Sequence, residues 1–88
     1  MRPSSTNDAE TLALSALAAA LTDERRAQRF LALSGIDTED LRRRAAEPAL
    51  LAALLRFLEA HEPDLIDVAT AVGVEPRDLV AAREELEG

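Results

Sequence analysis

The sequence predicts an all-α domain: a compact orthogonal bundle of about six short helices around a central apolar helix over 48–61, with two helix-turn-helix-like corners. Three observations lead there. The apolar residues are mainly Ala and Leu, which lose least on entering a helix, while β-branched residues are few. Pro48, Pro63 and Pro76 stand where helices can start, and Gly35 and Gly73 where they can stop. No segment sustains the period-two alternation of a half-buried strand.

The elements follow in order. Residues 1–6 read as a disordered N-terminal tail, leaving 7–88 as a single helical domain. Asn7 offers an N-cap, with Glu10 three residues on to complete a capping box. Helix 1 then runs to about Leu21, with Leu14, Leu17 and Leu21 joined by Leu12, Ala13, Ala16, Ala18 and Ala20 in a stripe small enough for close packing. Thr22 is the expected cap of helix 2, ahead of Asp23 and Glu24 in its first turn. In that helix Phe30, Leu31 and Leu33 are expected to face inward and Arg25, Arg26 and Arg29 to face water, with Gly35 as a left-handed terminator.

Asp37 or Thr38 starts a short third helix anchored by Ile36 and Leu41. Pro48 suits the first position of helix 4, and from Ala49 to Leu58 only Arg56 is charged, so this helix should be the most buried. Pro63 opens helix 5, with Asp64 and Asp67 near its positive end and Leu65, Ile66, Ala69 and Val72 turned to the core. Gly73 ends it. Pro76 opens helix 6, where Leu79, Val80, Ala82 and Leu86 pack while the acidic residues meet water.

Eighty-eight residues hold one core, and 48% hydrophobic content is enough to fold it. A net charge of −7 repels polyphosphates and anionic lipid, so nucleic acid is disfavoured as a partner. All ten basic residues are Arg, a bias that genomic base composition explains without any functional selection. The absence of Cys removes disulfides and thiolate chemistry and fits a reducing, cytoplasmic setting. No signal peptide is evident, and the longest apolar runs, Leu17 to Leu21 and Ala49 to Leu55, fall far short of the roughly 20 residues of a spanning helix, so a soluble protein with no membrane role is expected.

Two stretches echo one another at an offset of 38 residues: Leu33-Ser-Gly-Ile-Asp-Thr-Glu-Asp-Leu41 and Ala71-Val-Gly-Val-Glu-Pro-Arg-Asp-Leu79. In each, Gly ends a helix, a β-branched residue plugs the corner, the acid or its neighbour caps the next helix and Leu anchors its first turn. The same grammar builds DNA-binding helix-turn-helix motifs. A recognition helix needs donors for phosphates and bases, yet helix 6 sets Asp78, Glu84, Glu85 and Glu87 against Arg77 and Arg83. The first corner, with Arg42, Arg43 and Arg44, is the better candidate surface, although Asp37, Glu39, Asp40 and Glu47 flank it.

Catalytic material is thin. His61 with Glu62, Asp64 and Asp67 is the one cluster with metal-ligand types, and a His in the last turn of helix 4 is better read as complementing the helix dipole. The carboxylate pairs Asp23/Glu24, Glu39/Asp40 and Glu84/Glu85 are adjacent on helices and diverge, so none can share a proton. No catalytic, cofactor-binding or metal residue is assigned, no cofactor or small-molecule ligand is indicated, and no enzyme is expected.

Leu-Ala-Leu-Ser-Ala-Leu in helix 1, the run from Arg29 to Ala45, Leu-Leu-Ala-Ala-Leu-Leu-Arg-Phe-Leu in helix 4 and Gly-Val-Glu-Pro-Arg-Asp-Leu together resemble a family of short bacterial proteins, chiefly alphaproteobacterial, catalogued only as a domain of unknown function. The resemblance spans about Ala9 to Leu86 and is most specific from Phe30 to Leu41. It implies a compact helical fold in a bacterial cytoplasm and brings no activity, ligand or site residue. The functional expectation is therefore a non-catalytic protein-interaction or regulatory module, including a self-associating one, because apolar residues are plentiful for so short a chain. The alternative is a helix-turn-helix DNA-binding regulator that uses Arg42 to Arg44.

Overall fold

Proline and glycine punctuate six helices. The computed structural model describes residues 5–88, in which α1 spans Ser5–Ala20, α2 Glu24–Ser34, α3 Thr38–Arg44, α4 Pro48–Glu59, α5 Glu62–Val72 and α6 Pro76–Glu87. Among the described residues there is no strand. Pro48 and Pro76 begin α4 and α6, and Pro63 is the second residue of α5, so no interior helical hydrogen bond is lost. Gly35 and Gly73 follow α2 and α5 at φ of 75° and 89°, a region that costs other L-residues roughly 1–2 kcal/mol. The Gly73 and Val74 N–H groups both donate to the Ala69 carbonyl, at 2.8 and 2.9 Å, closing the helix end. Each following helix is then capped by a carboxylate: Asp37 Oδ1 accepts from the Asp40 N–H at 2.8 Å, and Asp78 Oδ2 accepts from the Glu75 N–H at 2.9 Å.

Two expected caps move. The tail expected over 1–6 lies, for residues 1–4, outside the described residues; α1 already includes Ser5, so Asn7 sits inside it. Asn is a weak helix former but not a breaker, and a helix begun upstream runs through it. Thr22 does not cap α2. Its hydroxyl donates back to the Ala19 carbonyl at 2.7 Å, and the next residue, Asp23, takes the cap by accepting the Arg26 N–H at 3.1 Å. The carboxylate is the stronger acceptor and complements the dipole.

The core gathers around α4, where Leu50, Leu51, Ala52, Leu54, Leu55 and Leu58 are all buried. This helix packs on α1, α2, α5 and α6. The face that α1 buries is Ala9, Ala13, Ala16, Leu17 and Ala20, and α6, with Leu79 and Ala82, packs along this alanine line. Leu14, expected inside, is 43% exposed because its own angle on the helix falls more than 100° from the centre of that line. Ile66 is likewise turned out, since Asp64, Val68 and Ala69 fix the inward face of α5.

The echo between the two corners extends through the whole architecture. The interval of 38 residues that separates Gly35 from Gly73 also separates Arg26 from Asp64, and it maps α2 onto α5 from end to end. The buried residues Arg26 and Phe30 of α2 correspond to the buried Asp64 and Val68 of α5; Ala13, Ala16, Leu17 and Ala20 of α1 correspond to Leu51, Leu54, Leu55 and Leu58 of α4; Leu41 corresponds to Leu79. The same three-helix pattern is thus written twice, first as α1–α3 and then as α4–α6. The copies diverge at their third helix: α3 has 7 residues and stays at the periphery, whereas α6 has 12 and packs between α1 and α4.

Candidate interaction surface

A polar latch joins the two halves. Arg26, expected in water, is 8% exposed, and Asp64, expected to be a solvated first-turn acid, is 7% exposed. Arg26 Nη1 donates to Asp64 Oδ1 at 3.3 Å, and its Nε donates to the Ala20 carbonyl at 3.2 Å, one of the unpaired oxygens at the end of α1. Arg29 donates to Asp64 Oδ2, and His61 Nδ1 lies 2.9 Å from the same oxygen. Asp67 Oδ2 stands 3.9 Å from Arg26 Nη1. Burial pushes the Asp64 carboxyl up, but the His61 hydrogen bond and the charges of Arg29, His61 and Arg26 outweigh it and hold the group below the usual carboxylate range. A guanidinium with partners on both sides can be buried where a solitary one could not.

His61 is therefore not in the last turn of α4. It is the N-cap residue of α5, with its ring turned to Asp64 rather than to the α4 carbonyls. Asp64 in turn spends its oxygens on the arginines, and among the described residues no group of three or more His, Asp or Glu side chains converges as a metal-ligand set. Among the described residues, too, no helix is long and apolar enough to cross a membrane.

The three arginines singled out in the sequence sit together on α3 but do not act together. Arg43 is paired with Asp40, and Arg44 Nε donates to Glu47 Oε1 at 3.0 Å. Arg42 points along the edge of a hollow lined by Leu17, Leu21, Thr38, Leu41 and Ala45. Two of the three positive charges are thus neutralised within the same short segment.

A different surface carries the most exposed of the large apolar side chains among the described residues. Leu33, expected to be buried, is 77% exposed. By helical angle it lies about 20° beyond Arg26, at the edge of the stripe that Arg26, Ala27, Phe30, Leu31 and Ser34 turn inward and next to exposed Arg29. Across from it α4 offers Ala53 and Ala60, whose methyl groups are too short to cover it, and an open groove of about 270 Å³ remains, lined also by Phe30, Ser34, Arg56 and Phe57. Phe30 and Phe57 hold the groove open: their rings meet edge to face at 5.3 Å, and the Arg29 guanidinium lies 5.5 Å from the centre of the Phe57 ring.

The repeat supplies an internal comparison. Where α2 and α4 have Phe30 and Phe57, the corresponding positions on α5 and α1 are Val68 and Ala19, and there the two helices close up. Ala53 and Ala60 correspond to Ser15 and Thr22, and Leu33 to Ala71. The outer face is polar and small in one half, apolar and propped open in the other.

On the far side of Arg56 a second hollow of about 470 Å³ continues the face toward α6, lined by Ala49, Ala52, Ala53, Leu86 and Glu87. Arg56 grips Glu87 with two hydrogen bonds of 2.5 and 2.8 Å, and Arg83 ties Glu87 and Glu59 together at 2.9 and 2.6 Å. The Arg56 hydrogen bonds hold the Glu87 carboxyl below its ordinary value against an opposing desolvation, with the Arg83 hydrogen bond and the charges of both arginines adding to them. Around this hollow Arg56 and Arg83 are matched by Glu59 and Glu87.

Fold and surface together define a small all-α domain made of a twice-used three-helix unit, with one open apolar face. The chain belongs to the family described as "Protein of unknown function (DUF3572)", whose model matches residues 6–88. No curated protein and no solved structure matches the chain.

Proposed function

We propose that this chain is a non-catalytic protein-interaction module of the bacterial cytoplasm and that it engages its partner through the α2–α4–α6 face. The observation that carries this reading is Leu33: a leucine at the edge of the buried stripe of its helix, 77% exposed beside an apolar groove that two alanines leave unfilled. Scattered exposed leucines are ordinary, but one poised over a hollow with aromatic walls is the anatomy of a docking site. The helix-turn-helix alternative has weaker support, because the Asp40 and Glu47 pairings leave α3 with Arg42 as its unpaired cation in a chain of net charge −7.

The test uses the full chain as immobilised bait. Leu33→Glu should lose the captured protein, while Ile66→Glu, which places the same change on an exposed site that lines neither hollow, should keep it. Equal capture by both variants would remove the groove from the reading.

A further inference from the structure

We infer that the occupant of the α2–α4–α6 face is a second copy of this chain, in a two-fold contact; this rests on the reading of that face as a docking surface. Three features select the occupant. First, the face carries both a protruding Leu33 and hollows floored by Ala49, Ala53 and Ala60, so knob and socket belong to one patch. An isologous interface requires that self-complementarity.

Second, the charge of the face selects against strongly charged partners. The chain carries −7, yet here Arg56 is matched by Glu87 and Arg29 by Asp64. A basic partner would be drawn to the acidic surface elsewhere, and an acidic one finds Arg29, Arg56 and Arg83 already paired. Two like-charged copies approach with least repulsion through a neutral face. The Arg56–Glu87 dyad is also its own complement, since a two-fold rotation can set the cation of one copy against the anion of the other.

Third, the size of the face suits a reversible dimer. A twelve-residue helix is about 18 Å long, and flanking helices at 8–10 Å on either side widen the face to about 18 Å. Allowing for side-chain relief, that is on the order of 500 Å² per copy and about 1,000 Å² in all, the low end for specific interfaces. Buried area alone does not set affinity, so the contact has to be sought over a wide concentration range.

Sedimentation equilibrium of the full chain, from about 5 to 500 μM, tests this across the affinity range such an interface gives. The wild type should rise from its monomer mass of 9.5 kDa toward twice that value. Leu33→Glu should weaken association by a factor of about 100 or more, because symmetry repeats the lost burial at both ends of the contact. Ala53→Glu, on the exposed floor, should do the same, and Ile66→Glu should leave association unchanged. Circular dichroism checks that each variant is folded, which the exposure of all three sites favours. A wild type that stays monomeric at the top concentration overturns the inference, as does a dimer indifferent to Leu33→Glu or abolished by Ile66→Glu. A monomeric wild type that still captures a different protein in a Leu33-dependent way overturns the second copy alone; loss of that capture as well overturns the docking surface with it.

Discussion

Asp64→Asn tests the latch most directly. The carboxylate is the shared partner of Arg26 and Arg29, with side-chain exposures of 11% for Asp64 and 9% for Arg26. Removing its charge leaves a buried guanidinium without its counter-ion, a change that costs about 3–5 kcal/mol when a buried pair is broken. Asn retains one acceptor and the shape, so the lower end, about 3 kcal/mol, is expected at pH 7. That is a large part of the roughly 5–10 kcal/mol such a small domain has. The chain has neither Trp nor Tyr, so the assay is urea unfolding followed by circular dichroism. With a slope of about 1 kcal/mol per molar urea, the midpoint should fall by about 3 M.

The pH dependence separates charge from shape. Because the folded Asp64 carboxyl titrates below its ordinary value, its contribution is complete above the unfolded pKa near 4 and is lost as pH falls through the lower folded value. Wild type and variant should therefore differ fully at pH 7 and 5, and the difference should shrink as pH falls below about 4 through the folded value. The groups facing the carboxylate in this window are Arg26, Arg29, His61 and the distant Asp67. A difference under about 0.5 kcal/mol at pH 7, or one as large at pH 2.5 as at pH 7, would refute the electrostatic account of the latch.

Three further substitutions probe the packing and the corners, all by the same unfolding assay. Gly73→Ala should cost about 1–2 kcal/mol although a Cβ there meets nothing within 4 Å, and Gly73→Asn should cost less, since Asn tolerates positive φ; equal costs would point to some cause other than backbone strain. Ala13→Leu should destabilise by about 1–3 kcal/mol despite adding apolar surface, because it wedges apart the alanine line of α1; a gain in stability would show slack in that seam. Leu79→Ala should cost about 2–5 kcal/mol and its counterpart Leu41→Ala less than half of that, because α3 lies at the edge of the bundle; similar losses would mean that the two halves pack alike.

What the sequence made legible was the local grammar. Helix count, the Pro starts, the Gly stops and the dominance of α4 follow from propensity and patterning, which act over a few residues. The latch was hidden because its members are remote in the chain and each has an ordinary local explanation: Arg26 as surface charge on an amphipathic helix, Asp64 as a first-turn acid after Pro63. Pairing two such charges is a tertiary fact. A signal did exist, since the corner echo, carried nine residues back from each glycine, sets Arg26 against Asp64. Leu33 was misplaced for a subtler reason. Its angle puts it at the edge of the buried stripe, beside Arg29, where coverage depends on the size of the opposing residues, and Ala53 and Ala60 are too small to supply it. Arg42 to Arg44 stood out by composition, while their neutralisation by Asp40 and Glu47 needed rotamers to become visible.

The intimacy of α1 and α6 also bears on how the chain is made. Synthesis delivers α1 early and α6 late, at about 5–20 residues per second, so the inner face of the first helix waits several seconds for its covering partner. During that wait the exposed stripe is Ala9, Ala13, Ala16 and Ala20, with Leu17 as its one large member. Alanine attracts other nascent surfaces only weakly, yet in the finished fold it lets α6 pack along the whole seam. The same methyl groups that make the seam tight make its delay safe.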